Sequence, residues 1–169
     1  ITMERNEDGF YYPIVSDTCI GCGKCEKSCP VLTPEIVNNA MRPRAYAVKH
    51  KDAGVLKKSA SGGVFFGLAE TILRMGGCVY GAVWTEDWRV EIVRARTMEA
   101  VRRMQGSKYV YSHAKESYAS VQRDLNQGMS VLFSGMPCQI AALKRTLVKD
   151  YPNLFTVEIV CHGAGSEAV

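Results

Sequence analysis

The sequence predicts an α/β protein, a mixed-sheet core with flanking helices, preceded by a small cysteine-rich segment. Three observations lead there. Strand-like and helix-like periods alternate from residue 45 onward, and residues 130–160 read strand, helix, strand, the order of a parallel crossover. Four of the seven cysteines crowd between Cys19 and Cys29. The 169 residues, 47% hydrophobic and 22% charged, suffice for one ordinary core and exclude global disorder. A mean hydropathy of -0.08, with no apolar run near the ~18 residues of a membrane helix, argues against a membrane span.

The elements follow in order. Glu7-Asp8-Gly9 is a turn signal ahead of Phe10-Tyr11-Tyr12-Pro13-Ile14-Val15, so residues 1–18 read as a short hairpin. The cysteine segment follows, with Gly21 and Gly23 giving the backbone room and Pro30 and Pro34 closing it. The chain turns basic at Arg42-Pro43-Arg44, which sets a boundary between segments 1–41 and 42–169. Residues 45–50 alternate like a strand. Ser59-Ala60-Ser61-Gly62-Gly63 leads into a helix over 64–75, with Ser61 as its N-cap and Gly76-Gly77 as its stop. Phe65, Leu68, Ala69, Ile72 and Leu73 recur there at helical spacing.

Strands are expected at 78–84 and 89–96 around a Glu86-Asp87 turn, then a short helix at 97–104 and an extended piece at 109–111. A helix over 115–126 carries Tyr118, Val121 and Leu125 on one face. Strands at 130–133 and 155–160 flank a helix over 138–149, with Pro137 in its first turn. The chain opens at Ile1 and stops just after the last strand and its loop, so an internal piece of a longer protein is expected.

The net charge of +4 is uneven. Residues 1–41 carry three Lys/Arg against six acids, residues 42–108 thirteen against six, and residues 109–169 five against five. The basic middle would attract phosphates or other anions, or is simply a solvated surface. Nucleic acid is disfavoured, because the basic residues are scattered without a stacking-aromatic or helix-turn-helix pattern. No secretory signal is visible, and crowded cysteines suit a metal site in a reducing compartment better than long staples. A cytoplasmic location is therefore expected.

Cys19, Cys22, Cys25 and Cys29 form the run C-x2-C-x2-C-x3-C-P, the bacterial ferredoxin spacing for a [4Fe–4S] cluster. Three thiolates on a tight loop can reach three corners of one cubane, while the fourth points away and ligates the other cluster of a pair. Zinc, which more often takes two separated C-x2-C pairs, is the competing metal. The expected fold is thus an α/β core plus a ferredoxin-type iron–sulfur segment. Cys19, Cys22 and Cys25 still need a fourth ligand, and Cys29 needs companions. A second run upstream of Ile1 would supply both.

Cys138 and Cys161 each follow a strand of the crossover, so their sulfurs are expected on one rim of the sheet, where open α/β sheets bind ligands. A metal, a cluster, a redox pair, a thiol nucleophile and two plain buried cysteines all remain compatible. Cys138 stands at a helix N-terminus, which lowers a thiol pKa. Cys78, inside an apolar strand, reads as core. The Ser59-Ala60-Ser61-Gly62-Gly63 loop offers hydroxyls and N–H groups at a helix start, suited to a pyrophosphate or simply to capping.

Ser59-Ala-Ser61-Gly62-Gly63-Val-Phe65, Gly76-Gly77-Cys-Val-Tyr80-Gly81-Ala82, Gly106-Ser107-Lys108-Tyr109, Phe133-Ser-Gly135-Met-Pro137-Cys138-Gln139 and Val160-Cys161-His162-Gly163 occur in that order. Together they resemble the family of coenzyme F420-reducing hydrogenase/dehydrogenase beta subunits, with a ferredoxin-type N-terminal extension. The resemblance implies an FAD-containing iron–sulfur oxidoreductase that passes electrons between clusters and a second carrier, a deazaflavin in the members that name the family. Ser59, Ser61, Gly62, Gly63, Ser107, Lys108 and Tyr109 would belong to the flavin or substrate pocket, with Lys108 compensating phosphates. Cys138 and Cys161 would be ligands of an additional cluster. Expected partners are ferredoxin, hydrogenase subunits or the deazaflavin. The family's C-terminal half is absent from this sequence. The alternative is a non-enzymatic electron-transfer or adaptor module.

Overall fold

The computed structural model describes residues 1–29, 31–32, 43–114 and 116–166. The expected closure by Pro30 and Pro34, the exact boundary at residues 41 and 42, and the helix start at Lys115 lie outside them. Strands β1 (Thr2–Arg5) and β2 (Tyr11–Ile14) pair antiparallel as the predicted hairpin. Its turn is closed locally: Gly9 N donates to Asn6 O at 3.0 Å, and Phe10 N to Asn6 Oδ1 at 2.8 Å. Helix α1 (Lys24–Ser28) follows within the cysteine run.

The larger unit begins with α2 (Ala53–Lys58), whose N-terminus is capped by the Asp52 carboxylate accepting from the Gly54 and Val55 amides. Then come α3 (Val64–Arg74), β3 (Cys78–Trp84), β4 (Val90–Ala95), α4 (Met98–Arg102) and β5 (Ser112–His113). Helix α5 (Ser117–Asn126), β6 (Val131–Gly135), α6 (Pro137–Leu147) and β7 (Leu154–Glu158) complete it. The sheet order is β5-β4-β3-β6-β7, antiparallel only between β3 and β4. The mixed sheet and the parallel β6–α6–β7 crossover are as the sequence predicts.

Alternation along the strands sends side chains into two cores. Val79 and Val83 of β3 pack with Phe66, Ala69 and Ile72 of α3 and Val101 of α4 on one face. Cys78 and Tyr80 pack on the other with Val121 and Leu125 of α5 and Ile140 and Leu143 of α6. Helices therefore cover both faces, which parallel strands require.

Four expectations are corrected. Residues 45–50 form no strand: Tyr46 is 74% and Val48 58% exposed, so the alternation buries nothing. Their anchor to the loop beyond is His50 N donating to Gly62 O at 2.7 Å. The N-cap of α3 is Gly63, not Ser61, because α2 brings the loop in from a different direction. Leu68 stands 42% exposed, and the buried stripe runs through Phe66 instead. The extended piece at 109–111 is displaced to β5, with Val110 bridging Gly165.

Cys78 is buried as expected, but not merely as filler. Asp124 of α5 accepts from Cys78 Sγ at 3.1 Å, Tyr80 Oη at 2.6 Å, and Arg94 Nε and Nη2 at 2.7 and 2.9 Å. Desolvation and the adjacent carboxylate push the Cys78 thiol up to about 12, so it stays protonated and donates. Burial opposes ionisation of Asp124, but hydrogen bonds from Arg94, Tyr80 and Cys78 outweigh it and hold its pKa below 3.8. A depressed carboxylate pKa stabilises the fold above the unfolded value and loses that effect as pH falls through the folded one. Asp124→Asn should therefore cost about 2 kcal/mol at pH 7, from a weakened Arg94 pair and a misplaced amide. Urea unfolding should show that deficit shrinking as the pH is taken below 3.8.

Candidate functional site

The cysteine loop is built by two glycines. Gly21 and Gly23 adopt φ of +63° and +66°, a left-handed conformation that reverses the chain twice between Cys19 and Cys25. Cys19, Cys22 and Cys25 are exposed, and Cys29 is half-buried at the C-terminal end of α1. Gly21 N donates to Cys19 Sγ at 3.4 Å, the kind of N–H···S contact that supports a thiolate. Among the described residues no three His, Cys, Asp or Glu side chains gather as a site for a single ion. A cubane differs in taking thiolates at separated corners. Three soft donors on a short loop, with an amide already turned to one sulfur, fit a [4Fe–4S] cluster.

Among the described residues, contacts in two places fasten the segment to the α/β unit. Arg145 of α6 donates from Nη1 to the Cys29 carbonyl at 2.7 Å, and α1 packs against α6. The Tyr11 ring of β2 meets the His113 ring of β5 edge-on at 4.8 Å, and Tyr111 meets His113 at 5.4 Å. Met3, Phe10, Tyr11, Tyr111 and His113 enclose a small cavity of about 120 Å³ there.

Cys138 lies in the first turn of α6, beyond β6, and Cys161 lies beyond β7, both at the surface. The topology puts them at one end of two adjacent parallel strands, as the crossover predicts. Gln139 holds this turn: its Oε1 accepts from Met136 N at 3.0 Å, and its Nε2 donates to Ser112 O at 2.7 Å. The expected lowering of the Cys138 thiol does not occur. Desolvation of the sulfur raises its pKa, the Gln139 amide lowers it less, and the Cys161 thiolate raises it further. Tyr111 and Tyr118 are raised chiefly by their own burial, and a charge on Cys138 raises both further.

The two segments assigned to a flavin or substrate pocket do meet. Gln105 Nε2 donates to Ser59 Oγ at 3.2 Å, and Ser59 Oγ donates to Val55 O at 2.8 Å. Gln105 Oε1 is buried with no partner, an orphaned acceptor beside this junction. Ser61, Ser107 and Tyr109 are exposed, Tyr109 at 86%. Gly62 answers to packing: a Cβ there would lie 2.2 Å from Val48 O. Lys108 bonds its own chain: its Nζ lies 3.0 Å from the Met104 and Gln105 carbonyls, with those of Arg103 and Gly106 at 3.3 and 3.2 Å. It thus ties down the turn that follows α4, and burial lowers its pKa. Loop contacts and an orphaned acceptor suit a polar ligand.

Residues 45–117 match the family described as Coenzyme F420 hydrogenase/dehydrogenase, beta subunit N-term, and residues 12–66 match the 4Fe-4S dicluster domain. Over those residues the chain is similar to coenzyme F420 hydrogenase/dehydrogenase beta subunits, as its ordered motifs lead one to expect. It is similar to a subunit of the F(420)H(2) dehydrogenase of Methanosarcina mazei, 30% identical over 150 residues, which cover 84% of this chain and 40% of that one. A chain of the F420-reducing [NiFe] hydrogenase complex from Methanosarcina barkeri shares the fold. Its TM-score is 0.58 at 23% identity, over 72% of this chain and 46% of that one. The chain thus spans less than half the length of either relative. No helix among its described residues is long and apolar enough to cross a membrane.

Arg145, Gln139 and Gln105 carry no signal of their own in the sequence. Gln139 and Gln105 stand beside the Pro137-Cys138 and Gly106-Ser107-Lys108 motifs, and that adjacency is the one pointer to them. Lys108→Met should cost about 1–2 kcal/mol of folding stability by removing the donor that the Arg103–Gly106 carbonyls share. Thermal unfolding of the purified variant checks this.

Proposed function

We propose that this chain is the electron-transfer portion of an iron–sulfur flavoprotein oxidoreductase. Cys19, Cys22 and Cys25 would hold one [4Fe–4S] cluster, and Cys29 would contribute to a second. The observation that carries this reading is the cysteine loop itself, fitted with left-handed glycines and fastened through Cys29 to α6 of the α/β unit. When bound, the clusters supply one-electron chemistry and FAD couples it to two-electron exchange.

The protein's own residues bind and orient. The Ser59–Gly63 loop and the Gln105–Tyr109 segment would form the FAD pocket, with Ser61, Ser107 and Tyr109 open to a ligand. Gln105 Oε1 would find its missing donor there. Cys138 and Cys161 would ligate an additional cluster at the sheet rim. The second carrier would be a deazaflavin, and the protein partners ferredoxin or hydrogenase subunits, in the cytoplasm. The similarity to the F(420)H(2) dehydrogenase chain supports the deazaflavin.

Anaerobic purification of the full chain, with iron, sulfide and flavin quantified, tests the reading. At least about four irons per chain, the content of one cubane, together with bound flavin is the expected result. Cys22→Ser with Cys25→Ser should lower the iron content while leaving the flavin. Iron without flavin would favour the adaptor reading, and neither would refute both.

A further inference from the structure

Helix α6 carries Cys138 in its first turn and Arg145 seven residues later. Seven residues are nearly two full turns, so the two positions share one helix face about 10 Å apart along the axis. Ala141 and Ala142 lie between them on that face, both partly covered. Small side chains there leave room for a neighbouring helix, and α1 packs against α6. At the far end of the stripe, the Arg145 guanidinium donates to the backbone carbonyl of Cys29 at 2.7 Å. The helix is thus a ruler, with a rim cysteine at one end and a cysteine of the ferredoxin-type run tied down at the other.

We propose that Arg145 is a positioning residue that fixes the Cys29 end of the iron–sulfur segment two helical turns from the Cys138 rim and sets the reduction potential of the cluster Cys29 ligates. This rests on reading Cys29 as a cluster ligand. The physical reason is simple. A guanidinium is permanently charged, and a charge-assisted bond to a backbone carbonyl outlasts a neutral one. A cluster gains one negative charge when it takes up an electron, so a fixed cation bonded to the backbone of a ligating residue would favour the reduced form. The second fastening, Tyr11 on His113, holds the hairpin and not α1. Loss of Arg145 therefore loosens α1 locally without releasing the whole segment.

The test uses the full chain, purified anaerobically and reduced with dithionite against mediators of fixed potential. In Arg145→Ala, iron content should match the parent, while the reduced-to-oxidised ratio of one cluster, read by electron paramagnetic resonance, falls about tenfold. Backbone amides of residues 24–29 should exchange hydrogen about fivefold faster, the scale of one lost hydrogen bond. Arg145→Gln, which keeps a donor without the charge, should shift the cluster ratio but leave exchange near the parent rate. Arg145→Lys should hold the ratio close to the parent. An unchanged ratio or unchanged exchange in Arg145→Ala would overturn the proposal. Absence of iron from the parent protein would refute the functional reading and the potential-setting role with it. The exchange comparison would then still decide whether Arg145 holds α1.

Discussion

Three residues of β3, Cys78–Tyr80, pair in parallel with Val131–Phe133 of β6, and this short ladder joins the two halves of the sheet. On one side of it lies the antiparallel β3–β4 hairpin, on the other the β6–α6–β7 crossover. Both cores are nucleated at the join, since Cys78 and Tyr80 point to one and Val79 to the other. The Asp124 carboxylate reinforces it from α5, accepting from Cys78 and Tyr80 of β3 and from Arg94 of β4. A buried carboxylate with four donors is costly to misplace, because each orphaned group would forfeit its solvation. That network fixes the register from which the rim cysteines and α6 are hung.

From the ladder, rigid elements carry geometry outward. Strand β6 ends at Gly135, and α6 starts two residues later with Pro137 preorganising its first turn. Gln139 then locks that turn to Ser112 of β5, across the sheet. The iron–sulfur segment has no buried residue in its helix α1 and so brings little core of its own. It depends on surfaces presented by the larger unit, at Arg145 and at His113. Small iron–sulfur segments commonly acquire stability from metal binding, and here protein contacts supply part of the positioning.

The FAD pocket assignment divides on physical grounds. Convergence of the Ser59 loop with Gln105 brings together two motifs that lie 46 residues apart in the chain. Lys108 instead spends its ammonium on the backbone of its own turn, on the carbonyls of Arg103 to Gly106. A basic residue within a motif is therefore not by itself a phosphate ligand.

Helix α2 is not legible in the amino-acid sequence, whereas the hairpins, the crossover, the cysteine run and most of the element order from residue 64 onward are. Each is written in short-range signals: turn residues, a period of two or of 3.6, and fixed cysteine spacing. Those same signals overstate residues 45–50, whose alternation has no strand beside it to pair with, and place at Ser61 a cap that α2 reassigns to Gly63. It takes the folded chain to show that Asp124 unites Cys78, Tyr80 and Arg94, and that Arg145 reaches Cys29 across 116 residues. Such partners are chosen by which elements pack together. Side-chain hydrogen bonds between residues distant in the chain leave no periodic trace in it, so neither composition nor spacing could reveal them.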